Sequence, residues 1–249
     1  MLVLRSILLL STLCILLLAT VADAQPAPSK HDGFFADHVK NGVVDYTALK
    51  KDKRLAAYVK EISAFPLSRA RMTPEATMAF WINAYNAFTL KLICDNWPLK
   101  SIMDLDGGKV WDRKWIVIDG RTYSLNQIEH EIIRPMGDPR IHFALVCAAK
   151  SCPPLRSEPY SANDLDEQLD DQGKTFISTS SLNRLSAADQ QARLSQIFEW
   201  YGKDFGPKQA DLIRALAPYA PSAARSSMKA APSGWKVSYL PYDWSVNGK

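Results

Sequence analysis

The sequence lacks the signatures that would assign a function by themselves. No Gly-rich phosphate loop and no dinucleotide fingerprint occurs, so nothing indicates a nucleotide-dependent enzyme and no cofactor is predicted. Charge of one sign is not concentrated anywhere. The 30 Lys and Arg against 26 Asp and Glu leave a net charge of +4 without a basic stripe interleaved with aromatics, which excludes an obvious nucleic-acid partner. The cysteines show neither CxxC nor zinc-knuckle spacing. His130-Glu131-Ile132-Ile133-Arg134 has an arginine where the zinc-protease pattern needs a second histidine, so no metal is predicted, and no ligand spacing singles out His130, His142 and Cys152 as a metal set. There is no internal repeat, and beyond the N-terminus no apolar run is long enough to cross a membrane.

What is present is a chain of 249 residues, 47% hydrophobic and 10% aromatic, enough for one sizeable core. Met1 to Arg5 is a short basic start, Ser6 to Val21 is apolar apart from Ser and Thr, and Ala22-Asp23-Ala24 is a small-x-small cleavage signature. Residues 1–24 are therefore expected to be a signal peptide, an uncleaved anchor helix being the rival. Leu13 before Cys14 argues against lipid attachment. Cleavage removes Arg5, Asp23 and Cys14, leaving the charge at +4 and three cysteines. The expected product is a secreted or periplasmic protein with a short lead-in over 25–31, one domain over 32–249 and no stable membrane span.

Periodicity predicts helices from about Asp32 and over Leu49 to Phe65, and a central helix starting at Thr73-Pro74-Glu75 that is apolar nearly all round to about Cys94. Asp119-Gly120 predicts a hairpin within Trp115 to Tyr123. Ser124 should cap a helix to about Arg134, Ile141 to Val146 should be a buried strand delivering Cys147, and a helix should open at Ser161. Two short strands are expected within Asn183 to Leu194, helices over Ile197 to Phe205 and Pro207 to Tyr219, a Pro/Ser/Ala-rich loop over Ala220 to Ser233, and a terminal strand over Trp235 to Leu240. The fold class is α+β, with a central apolar helix, several others and a small, mostly antiparallel sheet.

Chemically useful side chains are densest from Glu129 to Cys152. Cys94, Cys147 and Cys152 cannot all pair within one molecule, and Cys147 and Cys152 could close a small loop. Cys152, on a turn before Pro153-Pro154, is the stronger candidate for a reactive thiol, with a Cys147 disulfide or an inert thiol as alternatives. His142 would face away from Cys147 on a regular strand, and His130 could be a structural histidine. Asn83 and Asn86 share a face of the apolar helix, as a polar strut or as one wall of a site. Asp243, crowded by Tyr239, Tyr242 and Trp244, could orient a histidine or sit in an aromatic clamp. His31 and His38 are expected to face solvent.

Four blocks in order, Phe80-Trp81-Ile82-Asn83-Ala84-Tyr85-Asn86-Ala87, Ile128-Glu129-His130, Arg140-Ile141-His142-Phe143-Ala144-Leu145-Val146-Cys147 with Ser151-Cys152-Pro153, and Tyr242-Asp243-Trp244, resemble the uncharacterised DUF547 family over about Asp32 to Asn247. The sequence departs from the family at Ala148-Ala149, where glycine is more frequent. The resemblance implies a shared domain and leaves the reaction open. Two functions are compatible with these residues. One is a thiol-dependent hydrolase or acyl transferase with Cys152 as nucleophile, His142 or His130 as base and Asn83 or Asp243 orienting the imidazole. The other is a non-enzymatic envelope or binding module with a Cys147–Cys152 disulfide and a structural brace. The substrate or envelope partner is unknown in either case.

Overall fold

In the computed structural model, residues 29–249 are described, so the expected signal peptide and most of the lead-in lie outside the described residues. A short helix α1 (Phe34–His38) runs into the hairpin β1 (Val39–Lys40) and β2 (Val43–Val44), followed by α2 (Tyr46–Leu49) and α3 (Lys53–Ala64). Asp45 and Asp52 cap the latter two by accepting the backbone N–H groups of Ala48 and Arg54. His38 is not solvent-facing as expected: its ring packs down to Asp52 at 2.9 Å, and His31 pairs with Glu61 at 3.3 Å.

The central helix α4 (Pro74–Asp95) starts where Thr73 Oγ1 accepts the Ala76 N–H at 3.1 Å and Pro74 occupies the first turn. Apolar side chains on every face leave it no surface to give to water, and it packs against α3 and the helical segment around Glu129. β3 (Ile116–Ile118) and β4 (Arg121–Tyr123) form the hairpin predicted at Asp119-Gly120, with both turn residues at positive φ. Ser124 then caps the next helix reciprocally with Gln127. From Gln127 to Ile133 that helix widens to a π-helix, ending in a 3₁₀ turn at Arg134–Met136.

Ile141 to Val146 is not a strand. α5 (Ile141–Ala144) is a single helical turn, started by an Asp138 carboxylate that accepts the Arg140 N–H, and the chain becomes extended only from Leu145. No neighbouring strand is needed because the Asn86 side chain takes its backbone groups: Nδ2 donates to Ala144 O at 2.9 Å and Oδ1 accepts the Val146 N–H at 3.0 Å.

α6 (Leu165–Ser178) is followed by β5 (Arg184–Ser186), β6 (Gln191–Leu194), α7 (Ile197–Trp200), α8 (Gln209–Leu216), α9 (Ser222–Ala230) and β7 (Lys236–Tyr239). β6 pairs antiparallel with β5 and parallel with β7, so the fold is α+β with small sheets. The expected loop over 220–233 is largely α9: its alanines favour helix, and Ala224 and Met228 bury against the core. Two buried clusters result, one around α4 and one around Phe176, Phe198 and Trp235. α5 straddles them, with Ile141 and Ala144 in the first and Phe143 in the second. His142 sits at that seam.

Candidate functional site

At the seam lies a cavity of about 250 Å³, lined by Tyr85, Glu129, His142, Cys147, Cys152 and a set of aromatic side chains. Glu129 comes from the π-helix and is only 7% exposed. Tyr85, from α4, and Tyr201, after α7, line the cavity with it, close enough for its charge to act on both phenols. Burial first, and then the Glu129 charge, push both phenols far above their ordinary values, so both remain donors.

His142 is buried, stacked on the Tyr201 ring at 4.1 Å, and its Nε2 lies 2.7 Å from Asp204 Oδ2. Asp204 also receives both Nε and Nη2 of Arg134, at 2.7 and 2.8 Å, a two-pronged pair. The Arg134 hydrogen bonds, and then His142, hold the Asp204 carboxyl below the usual carboxylate range. Burial lowers the His142 pKa, opposed by Asp204. A neutral imidazole with its Nε2–H donated to a carboxylate is the arrangement that follows.

Cys147 and Cys152 are joined in a disulfide. The Cys147 N–H donates to Cys152 Sγ at 2.9 Å, and the Tyr242 hydroxyl stands 3.1 Å from Cys147 Sγ and 3.4 Å from Cys152 Sγ. Ala148, in the loop between the sulfurs, has φ 60°, the left-handed region that favours glycine. The C-terminal segment is strapped alongside this loop, with Lys150 N–H donating to Ser245 O and Asn247 N–H to Ala148 O, and that strap delivers Tyr242 and Trp244 to the cavity. Trp111, Trp200 and Trp244 with Tyr242 form a continuous aromatic wall, the Trp200 and Trp244 rings stacked at 5.8 Å.

Of the residues singled out from sequence, Glu129, His142, Cys147 and Cys152 share this cavity, whereas His130, Asn83 and Asp243 are not among its lining residues. His130 Nδ1 accepts from Arg134 Nη1 at 3.2 Å and so supports the cation that grips Asp204. Asn83 clasps the Tyr160 backbone, donating to its O at 2.7 Å and accepting its N–H at 2.8 Å. Asn83 and Asn86 are thus two struts of one design, each holding a different loop to α4. Asp243 Oδ1 accepts the Ser245 N–H at 2.8 Å, a local turn that points to no histidine. With helix giving way to extended chain between them, His142 and Cys147 are not separated by strand alternation and line the same cavity.

Sequence reasoning missed Tyr85, Tyr201 and Asp204 as site residues. Tyr85 stands inside the Trp81-to-Asn86 block between Asn83 and Asn86. Tyr201 and Asp204 carry no local signal. Among the described residues, no group of three or more His, Cys, Asp or Glu side chains is disposed to hold a metal ion, and no helix is long and apolar enough to cross a membrane.

A family model described as "Protein of unknown function, DUF547" matches residues 69–177. Over those residues the chain is similar to that family. No curated protein and no solved structure matches the chain. The DUF547 span contains both asparagine struts, Glu129, His142 and the disulfide, while Trp200, Tyr201, Asp204, Tyr242 and Trp244 complete the cavity from beyond it.

Proposed function

We propose that the chain is an exported binding module whose Glu129 cavity takes a small ligand with an apolar or aromatic-compatible body and a cationic or hydrogen-bond-donating group. The observation that carries this is a buried carboxyl group, Glu129, sharing a cavity with Tyr85 and Tyr201 and with a wall of three tryptophans and a tyrosine. Aromatic faces attract cations, and a desolvated carboxylate adds charge and direction. With its sulfurs bonded to each other, the oxidised cavity holds no thiol nucleophile. Because wall residues come both from within the DUF547 span and from beyond its end, we take residues 32–249 as one working unit. Export rests on the basic start, apolar run and Ala22-Asp23-Ala24. Cleavage after Ala24 should leave a mature N-terminus at or within a few residues of Gln25, and exported material that retains Met1 by mass spectrometry would reject that cleavage.

The test is tryptophan fluorescence during titration with primary and quaternary amines, sugars and carboxylates. Amines should quench with saturation, and Glu129→Gln should weaken that response about tenfold or more, the loss of a charged partner in a desolvated site. Saturation by carboxylates but not amines would overturn the reading. A second reading, a thiol-dependent hydrolase or acyl transferase acting once the pair is reduced, is favoured by one observation: the His142–Asp204 pair shares the cavity with Cys147. It requires that iodoacetamide label a cavity cysteine of the reduced folded protein and abolish a measurable hydrolysis.

A further inference from the structure

The disulfide differs in the surroundings of its two sulfurs, and the difference gives it a direction. Cys152 is 5% exposed, and its sulfur accepts the Cys147 N–H at 2.9 Å, while the Tyr242 hydroxyl stands beside both sulfurs, 3.1 Å from Cys147 Sγ and 3.4 Å from Cys152 Sγ. Both cysteines line the cavity, but Cys147 is only half-buried and is the more accessible of the two. Thiol–disulfide exchange is governed by access to the attacked sulfur and by how well the departing one holds negative charge. We propose that Cys147–Cys152 is a thiol–disulfide exchange site for small neutral or cationic thiols, with Cys147 the attacked sulfur and Cys152 the leaving one.

A substrate thiolate forms a bond to Cys147 Sγ, the Cys147–Cys152 bond breaks, and its electron pair goes to Cys152 Sγ, where the Cys147 N–H and the Tyr242 O–H receive the charge. A second substrate thiolate then attacks the mixed disulfide, releasing Cys147. Two substrate thiols are oxidised by two electrons to a disulfide, the protein's disulfide is reduced to two thiols, and the protons lost by the substrates are taken up by the two cysteines. A disulfide of the same class runs the sequence backwards. Tyr242 suits the donor role because burial first, and then the Glu129 charge, raise its pKa, keeping the proton on oxygen. The same carboxylate would repel an anionic thiol inside a low-dielectric cavity. Exchange itself stands on the disulfide's surroundings, while the charge preference rests on the ligand reading above.

The test treats the full folded, oxidised protein with cysteamine, dithiothreitol and mercaptoethanesulfonate at equal thiolate concentration, following bond loss by alkylation and mass spectrometry. Cysteamine should exceed mercaptoethanesulfonate about tenfold, and Tyr242→Phe should slow reduction by a similar factor, as expected when charge on the leaving sulfur loses a donor. Reduced Cys152→Ser should form a mixed disulfide at Cys147 with dipyridyl disulfide, and Cys147→Ser should react at Cys152 about tenfold more slowly. Equal rates for the two charged thiols would overturn the substrate class and, with it, the ligand reading. A bond that all three thiols reduce only after the protein is unfolded in urea would overturn exchange, and that measurement needs no variant to fold. Faster reaction of Cys147→Ser would overturn the assigned direction.

Discussion

Asn86 Oδ1 accepts the Val146 N–H at 3.0 Å, one residue before the disulfide. Through that bond, and its partner from Nδ2 to Ala144 O, the central helix sets where Cys147 lies. An amide presents a donor and an acceptor side by side, so one side chain substitutes for a neighbouring β-strand along this stretch.

Replacing Asn86 by Ala leaves one buried carbonyl and one buried N–H without partners, and should cost about 2–5 kcal/mol. Urea unfolding measures this directly. A loss below about 1 kcal/mol would mean the segment finds other partners.

Phe88 is buried in the same helix and meets Trp115 edge-on at 5.6 Å. Truncation to Ala should cost about 3–5 kcal/mol, as for other large aromatic side chains in a core. A small loss in the same unfolding experiment would place this part of α4 at the periphery.

Gly173 separates two opposing expectations. Ala in a helix is favoured over Gly by about 1 kcal/mol, but a Cβ here would stand 2.7 Å from the Tyr219 ring and 3.1 Å from that of Phe143. Both rings are fixed by packing, so overcrowding should win, and Gly173→Ala should lower the thermal midpoint. A raised midpoint would show that the rings yield.

His142 makes the fold less stable in acid. Its folded pKa is lowered from 6.5, so below that value the unfolded chain binds the proton that the folded one resists. The stability contributed by the neutral ring is present above 6.5 and is lost as pH falls through it toward the lower folded value. The urea midpoint should fall between about pH 7 and pH 5, and fall less in His142→Gln, which has no titrating ring. An identical slope in both proteins would show that other groups carry the dependence.

What the sequence determined by itself lies within single elements. Thr73-Pro74 starts α4 and apolar residues on every face send it to the centre, and Asp119-Gly120 makes its hairpin, because capping, φ preference and amphipathicity act over a few residues. The spacing of Cys147 and Cys152 likewise allowed the loop they close. Ile141 to Val146 misled because a short apolar run is compatible with either a strand or a helical turn, and the choice was made by Asn86, some 60 residues away. Asp243 misled because a carboxylate among aromatics has no direction until its backbone turns. The partners that make the cavity were decided only in three dimensions: Asp204 reaches His142 across 62 residues, and Tyr242 reaches Cys152 across 90. Such pairs are closed by the packing of two buried clusters against a shared helical turn, and that packing depends on the summed burial of many side chains, of which the local sequence around either partner carries no record.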